Sequence, residues 1–319
     1  MLDNLLLFSR SITRVSARRL RRGPATPEWS AVYEAVIEII RRGWDNDHDL
    51  AGRRSWMERV AKLAPPQPGV ATKADELGGR PAEWQISEDD HSDAPVWLYL
   101  HGGAYEIGSP QTHRPLTAPL AKGMGGRVVA LDYRLAPENP CPAGLDDAVA
   151  AFYELVERGI APHRIAIGGD SAGGGLAAAT LMALRDAGGP MPATGVLLSP
   201  WMDLHTAPPP APLDYLSARR LGELGASYGG SLGVRDPRVS PIFGDFTGLP
   251  PILIVAGGAE LILADSTGAA EKIRDAGGEV ELHVEPNEVH VYPFFTRINP
   301  RARAAHTRMT DWVRRRTAS

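Results

Sequence analysis

Six short apolar runs, at residues 96–100, 128–131, 165–167, 196–198, 252–255 and 280–284, alternate with stretches of helical periodicity such as 145–158, 176–186 and 266–276. Runs this short read as buried strands rather than as helices. Strand and helix in alternation predict an α/β fold, a mostly parallel doubly wound central sheet with helices on both faces. The last two helical stretches are closed by Gly188-Gly189 and Gly277-Gly278, residues suited to helix C-termini. With 319 residues, 43% of them hydrophobic, one large domain with a modest appendage is expected.

Two segments break the rhythm. In residues 1–75, Trp29, Tyr33, Val36, Ile37 and Ile40 recur at helical spacing, and Trp56, Met57 and Val60 suggest another helix before the breaker-rich stretch 64–69. This segment reads as an N-terminal helical cap on a main domain over 76–319. The second break, about 204–233, opens with Pro208, Pro209, Pro210 and Pro212. It comes after a strand, so it should lie above the C-terminal edge of the sheet, where ligands bind, and form a lid with the N-terminal piece. Aromatic residues of the lid, Trp29, Tyr33, Trp56 and Tyr215, either line a pocket or simply pack.

The first residues carry acid before a short apolar stretch and arginines after it, the reverse of a secretory signal, so no cleaved signal is expected. No run approaches the roughly 18 apolar residues that span a bilayer; the start reads as a peripheral basic amphipathic helix, able to lie on a surface or cover a pocket. A net charge of -4 without a long basic tract argues against nucleic acid and for a small, neutral or mildly charged ligand. Cys141 is the lone cysteine, which excludes an intrachain disulfide and any CxxC motif and is compatible with the cytoplasm.

The chemistry is concentrated in two glycine-rich turns. Gly168-Gly169-Asp170-Ser171-Ala172-Gly173-Gly174 joins a predicted strand to a predicted helix. A serine on such a strained turn is presented as a nucleophile, Gly169 and Gly173 allow close approach, and the helix N-terminus favours developing negative charge. After the strand 96–100 comes His101-Gly102-Gly103-Ala104-Tyr105, a loop of the kind that points backbone N–H groups at an oxyanion; losing one such donor commonly costs about 3 kcal/mol of transition-state stabilisation. His101 stands upstream of the serine and is expected to orient its loop rather than act as base.

A serine nucleophile needs an imidazole held by a carboxylate, in the chain order Ser, Asp or Glu, His. His283, His290 and His306 come after the turn. His283 falls inside a predicted strand and His306 on the terminal helix, whereas His290 succeeds the polar loop Glu285-Pro286-Asn287-Glu288. His101 and His113 offer no recognised ligand spacing, so no metal is expected, nor any other cofactor.

These motifs resemble the hormone-sensitive-lipase-like esterases of the α/β-hydrolase fold, which carry an HGGG loop and a GDSAGG elbow. The likeness extends to Asp132-Tyr133-Arg134-Leu135-Ala136-Pro137-Glu138, to Cys141-Pro142-Ala143-Gly144-Leu145-Asp146-Asp147 and to Asp236-Pro237-Arg238-Val239-Ser240-Pro241. It covers residues from about 95 to 300, with a looser similarity of the first 75 to the family's helical cap. The resemblance implies an oxyanion hole of Gly103, Ala104 and Ala172, supported by His101, Gly102 and Asp170. Ala104 departs from the family's glycine; it keeps the N–H but adds a methyl and requires a backbone conformation that an L-residue tolerates. Val291-Tyr292-Pro293-Phe294-Phe295 marks His290 as the base. Glu260, after Ala256-Gly257-Gly258-Ala259, stands where the family has its acid, with Asp265 and Asp203 as the other candidates. The resemblance implies a carboxylesterase working on short-chain esters through an acyl-enzyme. The alternatives are an amidase, thioesterase or deacetylase with the same triad, or a non-catalytic ligand-binding relative. The expected partner is a small-molecule ester, with no integral membrane segment; a homodimer is compatible with the family.

Overall fold

Each of the six apolar runs is a strand of one sheet. The structure, a computed structural model, describes residues 2–44, 49–62 and 64–318. Helices α1 (Leu2–Arg22), α2 (Ala31–Trp44) and α3 (Leu50–Ala61) come first, followed by β1 (Val70–Leu77), β2 (Arg80–Ser87) and β3 (Val96–Leu100). Next are α4 (Pro110–Met124), β4 (Arg127–Leu131), α5 (Ala143–Glu157), β5 (Ile165–Asp170), α6 (Ala172–Asp186) and β6 (Thr194–Leu198). The chain closes with α7 (Ala218–Gly229), β7 (Ile252–Gly257), α8 (Leu263–Asp275), β8 (Val280–Glu285) and α9 (Pro300–Thr317).

The sheet has eight strands in the order β1-β2-β4-β3-β5-β6-β7-β8. β1, β2 and β4 pair antiparallel, and every pairing from β4 through β3 to β8 is parallel. Alternate side chains feed two cores, as strand geometry requires. Val96, Leu98 and Leu100 of β3 join residues of α5, α6 and α8, whereas Trp97 and Tyr99 join residues of α4 and α9. With both faces covered, strands β3 to β7 are almost wholly buried and each carries an apolar run, which is why they are visible in the sequence.

The antiparallel edge departs from the sequence reading. β1 crosses the boundary expected near residue 75, so the helical segment is shorter than 1–75 and ends with α3. Residues 71–74 of β1 are all exposed, and an edge strand of this kind carries no apolar run to betray it. The insertion over 204–233 contains α7 as its regular element. In α1, Val15 is buried and Arg18 and Arg19 pair with Glu34 of α2; the side chains of residues 2–9, including the short apolar stretch at the start of the chain, lie outside the described residues. Among the described residues no helix is long and apolar enough to cross a membrane.

Candidate active site

β5 is buried throughout and delivers Ser171 into a backbone conformation of φ 54°, ψ −122°. A β-carbon residue there is strained, and the surroundings enforce it. The Ser171 N–H donates to the Leu198 carbonyl at 2.8 Å, while the Ser171 carbonyl accepts from Trp201 N–H at 2.9 Å and Gly175 N–H at 3.1 Å. A Cβ at Gly169 or at Gly173 would lie 2.0 Å from the Leu100 carbonyl oxygen, so only glycine lets β3, the turn and α6 close on one another.

The loop after β3 lies against this turn. Asp170, buried, accepts from Gly102 N–H at 3.0 Å and from Tyr99 Oη at 2.7 Å, with His113 Nε2 3.5 Å away. Burial works against the charge on Asp170, but His113, Tyr99 and Gly102 N–H outweigh it and hold the carboxyl below its ordinary range. His101 Nδ1 lies 2.8 Å from the Gly102 carbonyl, its ring stacks on Tyr133 at 4.4 Å, and Tyr133 Oη donates to the His101 carbonyl at 2.6 Å. Burial depresses the His101 pKa to about 3, so this neutral ring shapes the loop and is no base at neutral pH. Among the described residues the N–H groups of Gly103 and Ala104 have no acceptor, and Ala172 opens α6, where a helix leaves its first N–H groups without intrahelical partners. Ala104 takes φ 53°, a left-handed conformation that a small L-residue adopts at modest cost.

Glu260 and His290 come from the loops after β7 and β8, on the same edge of the sheet. Both are buried, with Glu260 Oε2 3.5 Å from His290 Nδ1; the same Oε2 accepts from Gly257 N–H at 3.3 Å. His290 Nε2 makes no hydrogen bond, to Ser171 or to any other described residue. Burial disfavours the imidazolium, yet Glu260 first, then Asp214 and Asp170, outweigh burial and raise the His290 pKa above its ordinary value. Burial also pushes Glu260 up, against the pull of His290 and Ser199. Ser199, after β6, accepts from Val291 N–H at 3.0 Å, and its own N–H donates to the Val255 carbonyl at 2.7 Å. These bonds tie the ends of β6 and β7 to the histidine loop.

The competing candidates are occupied elsewhere. Asp265 accepts from Met202 N–H at 2.7 Å and Asp203 N–H at 2.8 Å, and burial pushes its pKa up to about 7. Asp203 closes a turn by accepting from His205 and Thr206 N–H. His283 lies 3.3 Å from Glu285 within β8, and His306 Nε2 lies 2.9 Å from the Pro293 carbonyl. The aromatics expected to line a pocket or pack mostly pack: Trp29 and Tyr33 are buried, Tyr33 Oη donates to Glu288 at 2.8 Å, and Trp56 lies against Gly43 of α2. Sequence reading misses Tyr99, His113 and Asp214, whose roles arise from contacts between distant segments and leave no local pattern. Among the described residues there is no group of three or more His, Cys, Asp or Glu side chains placed to hold a metal ion.

Parallel sheet, strained serine turn and glycine loop together define a hydrolase-type α/β architecture. A family model described as the alpha/beta hydrolase fold matches residues 97–294. The chain is 39% identical over 294 residues to an acetyl-hydrolase of Streptomyces hygroscopicus, covering 88% of this chain and 94% of that one. It is 36% identical over 224 residues to the carboxylesterase NlhH of Mycobacterium tuberculosis, 66% of this chain and 70% of that one. The crystal structure of an esterase from the bacterial hormone-sensitive lipase family superposes with a TM-score of 0.85 at 38% identity, covering 88% of this chain and 97% of that one. The chain belongs to the α/β-hydrolase family, within its hormone-sensitive-lipase-like group.

Proposed function

We propose that this carboxylic-ester hydrolase cleaves short-chain esters of small molecules by two-step acyl transfer, with Ser171 as nucleophile, His290 as general base and Glu260 as the carboxylate that orients it. The observation that carries the reading is the buried Glu260–His290 pair, on the sheet edge where the strained turn presents Ser171. Attack of the Ser171 oxygen on the ester carbonyl transfers its proton to His290 Nε2, and Glu260 stabilises the imidazolium beside it. The carbonyl oxygen, now negative, is met by the N–H groups of Gly103, Ala104 and Ala172. His290 returns the proton to the departing alcohol; water, deprotonated by the same imidazole, then releases the acid and regenerates the serine.

A small acyl group is supported by the likeness to a relative named as an acetyl-hydrolase, and the residue after the oxyanion loop is tightly packed. Tyr105 stacks on Tyr228 with centroids 3.5 Å apart, and a Cβ at Gly175 would lie 2.8 Å from Tyr105 Oη. We assign α1 to α3, with the insertion over 204–233, to a cap, and the remainder to the catalytic domain. The test is hydrolysis of p-nitrophenyl esters from acetate to palmitate. Turnover peaking at acetate to butyrate, and reduced at least about 10⁴-fold in Ser171→Ala, is the expected result. A folded wild type without turnover on any of these esters rejects the proposal.

A further inference from the structure

Asp214 belongs to the insertion, yet its bonds serve the two loops that carry the acid and the base. The side chain is buried; Oδ2 accepts from Leu261 N–H, next to Glu260, at 2.7 Å, and Oδ1 accepts from His290 N–H at 3.1 Å. The next residue completes the grip, since Tyr215 Oη donates to the His290 carbonyl at 3.0 Å and its ring meets the imidazole edge-on, centroids 5.9 Å apart. Consecutive residues of the insertion thus hold both backbone polar groups of His290. The strap itself is fastened to the N-terminal helices: Arg41 of α2 donates to the carbonyls of Pro212 at 3.0 Å, Leu213 at 2.8 Å and Asp214 at 3.0 Å.

We propose that Asp214 is a positioning residue for the proposed Ser171–His290–Glu260 chemistry, and that through Arg41 it makes alignment of the acid–base pair depend on seating of the cap. The inference rests on that triad reading. Ordinary loop stitching would explain a buried carboxylate that accepts N–H groups from its own turn. Asp214 does accept from Tyr215 N–H in its own turn at 2.9 Å, but beyond that it joins the loop after β7 to the loop after β8, with its anchor on a third segment, α2. When the strap lets go, the Leu261 and His290 N–H groups lose a buried acceptor, and the imidazole is no longer fixed relative to Glu260. Misplacement of a reacting group by about 1 Å is enough to cost about 100-fold in rate.

The charges facing His290 are the carboxylates of Glu260, from the loop after β7, Asp214, from the insertion, and Asp170, at the end of β5; the Tyr215 phenol is the further titratable group beside the ring. Removing one negative charge from this set disfavours the imidazolium, so the base should lose its proton at lower pH.

The experiment compares wild type, Asp214→Asn, Tyr215→Phe, Arg41→Ala, Glu260→Ala and His290→Ala on p-nitrophenyl acetate. Active sites are counted by stoichiometric organophosphonate labelling, and kcat/KM is followed against pH. For Asp214→Asn, kcat per labelled site should fall by about 10- to 100-fold with KM within about threefold, and the ascending limb of kcat/KM should move to lower pH. Arg41→Ala should lower kcat about tenfold, and Tyr215→Phe a few-fold. An Asp214→Asn enzyme with kcat within about threefold of wild type and an unmoved limb, while Glu260→Ala and His290→Ala are crippled, overturns the positioning role and leaves the triad standing. Full activity of those last two variants overturns the triad and the positioning role with it. Should Asp214→Asn fail to fold, wild-type kcat and pH profile in both Arg41→Ala and Tyr215→Phe overturn the proposal.

Discussion

Ser171 and His290, the proposed nucleophile and base, sit on one edge of the sheet but are held there by different means. Ser171 is fixed by the centre of the molecule: β5 lies between β3 and β6, the turn is bonded to Leu198 and Trp201, and the approach of Leu100 leaves no room for a side chain at Gly169 or Gly173. His290 follows β8, the strand at the end of the sheet; Ser199, just after β6, holds the neighbouring Val291 N–H, and further order comes from outside the sheet. Asp214 and Tyr215 come from the insertion, and Tyr33 of α2 bonds Glu288 just upstream. Backbone strain marks both sides, at Ser171 with φ 54° and at Val291 with φ 47°. The serine side is strained between central strands, and the base side, also packed against the core through Val289, Val291 and Tyr292, adds a web of long-range bonds. The proposed active site thus divides its precision between the packed centre of a sheet and segments that reach it from far along the chain.

Gly173→Ala tests the serine side most severely. The added methyl meets the carbonyls of Leu100 and His101 at 2.0 and 2.6 Å, and backbone on both sides cannot swing away as a flexible side chain can. A stability loss of about 3 kcal/mol or more is expected, read from the urea midpoint, together with loss of nearly all turnover. A midpoint near wild type would mean that the centre relaxes as readily as the periphery. On the base side, Tyr33→Phe removes one bond to Glu288, which keeps its bond from Asn299 Nδ2 at 2.9 Å. Stability should fall by about 1–2 kcal/mol and kcat by less than about fivefold; a loss as large as that of Gly173→Ala would place the base in the core as firmly as the serine. Smallest is Ala104→Gly, which relieves a positive φ but loosens the unfolded chain. Stability should change by no more than about 1 kcal/mol and kcat by less than about threefold, and a larger drop in kcat would show that the methyl helps to aim the oxyanion loop.

The same division governs what is legible in the sequence. The serine turn is one contiguous motif between a strand and a helix, so its parts announce each other. Its helix nevertheless begins at Ala172, not near 176, because packing against Leu100 overrides the poor helix propensity of Gly173, Gly174 and Gly175. His290 and Glu260 sit in loops without periodicity and stand out only through chain order and family likeness; the pairing of their side chains is a tertiary fact. Asp214 lies just beyond a proline-rich stretch and looks like any turn aspartate, since nothing near it in the chain indicates that Leu261 and His290 are its partners. β1 and β2 are hidden for a related reason, the polar side chains of an edge hairpin leaving no apolar run to find.

The three carbonyls gathered by Arg41 bear on how such proteins recombine. Caps of hydrolases invite exchange as modules, with crossovers placed at the strand ends so that the sheet and its loops are inherited whole. In this chain a crossover between the insertion and the loop after β8 would separate Asp214 and Tyr215 from the histidine they hold. One confined to the N-terminal helices would separate Arg41 from the strap it fastens. A chimera that keeps its catalytic loops aligned must therefore carry Arg41, residues 212–215 and both loops from the same parent, a unit of inheritance scattered along the chain and contiguous only in space.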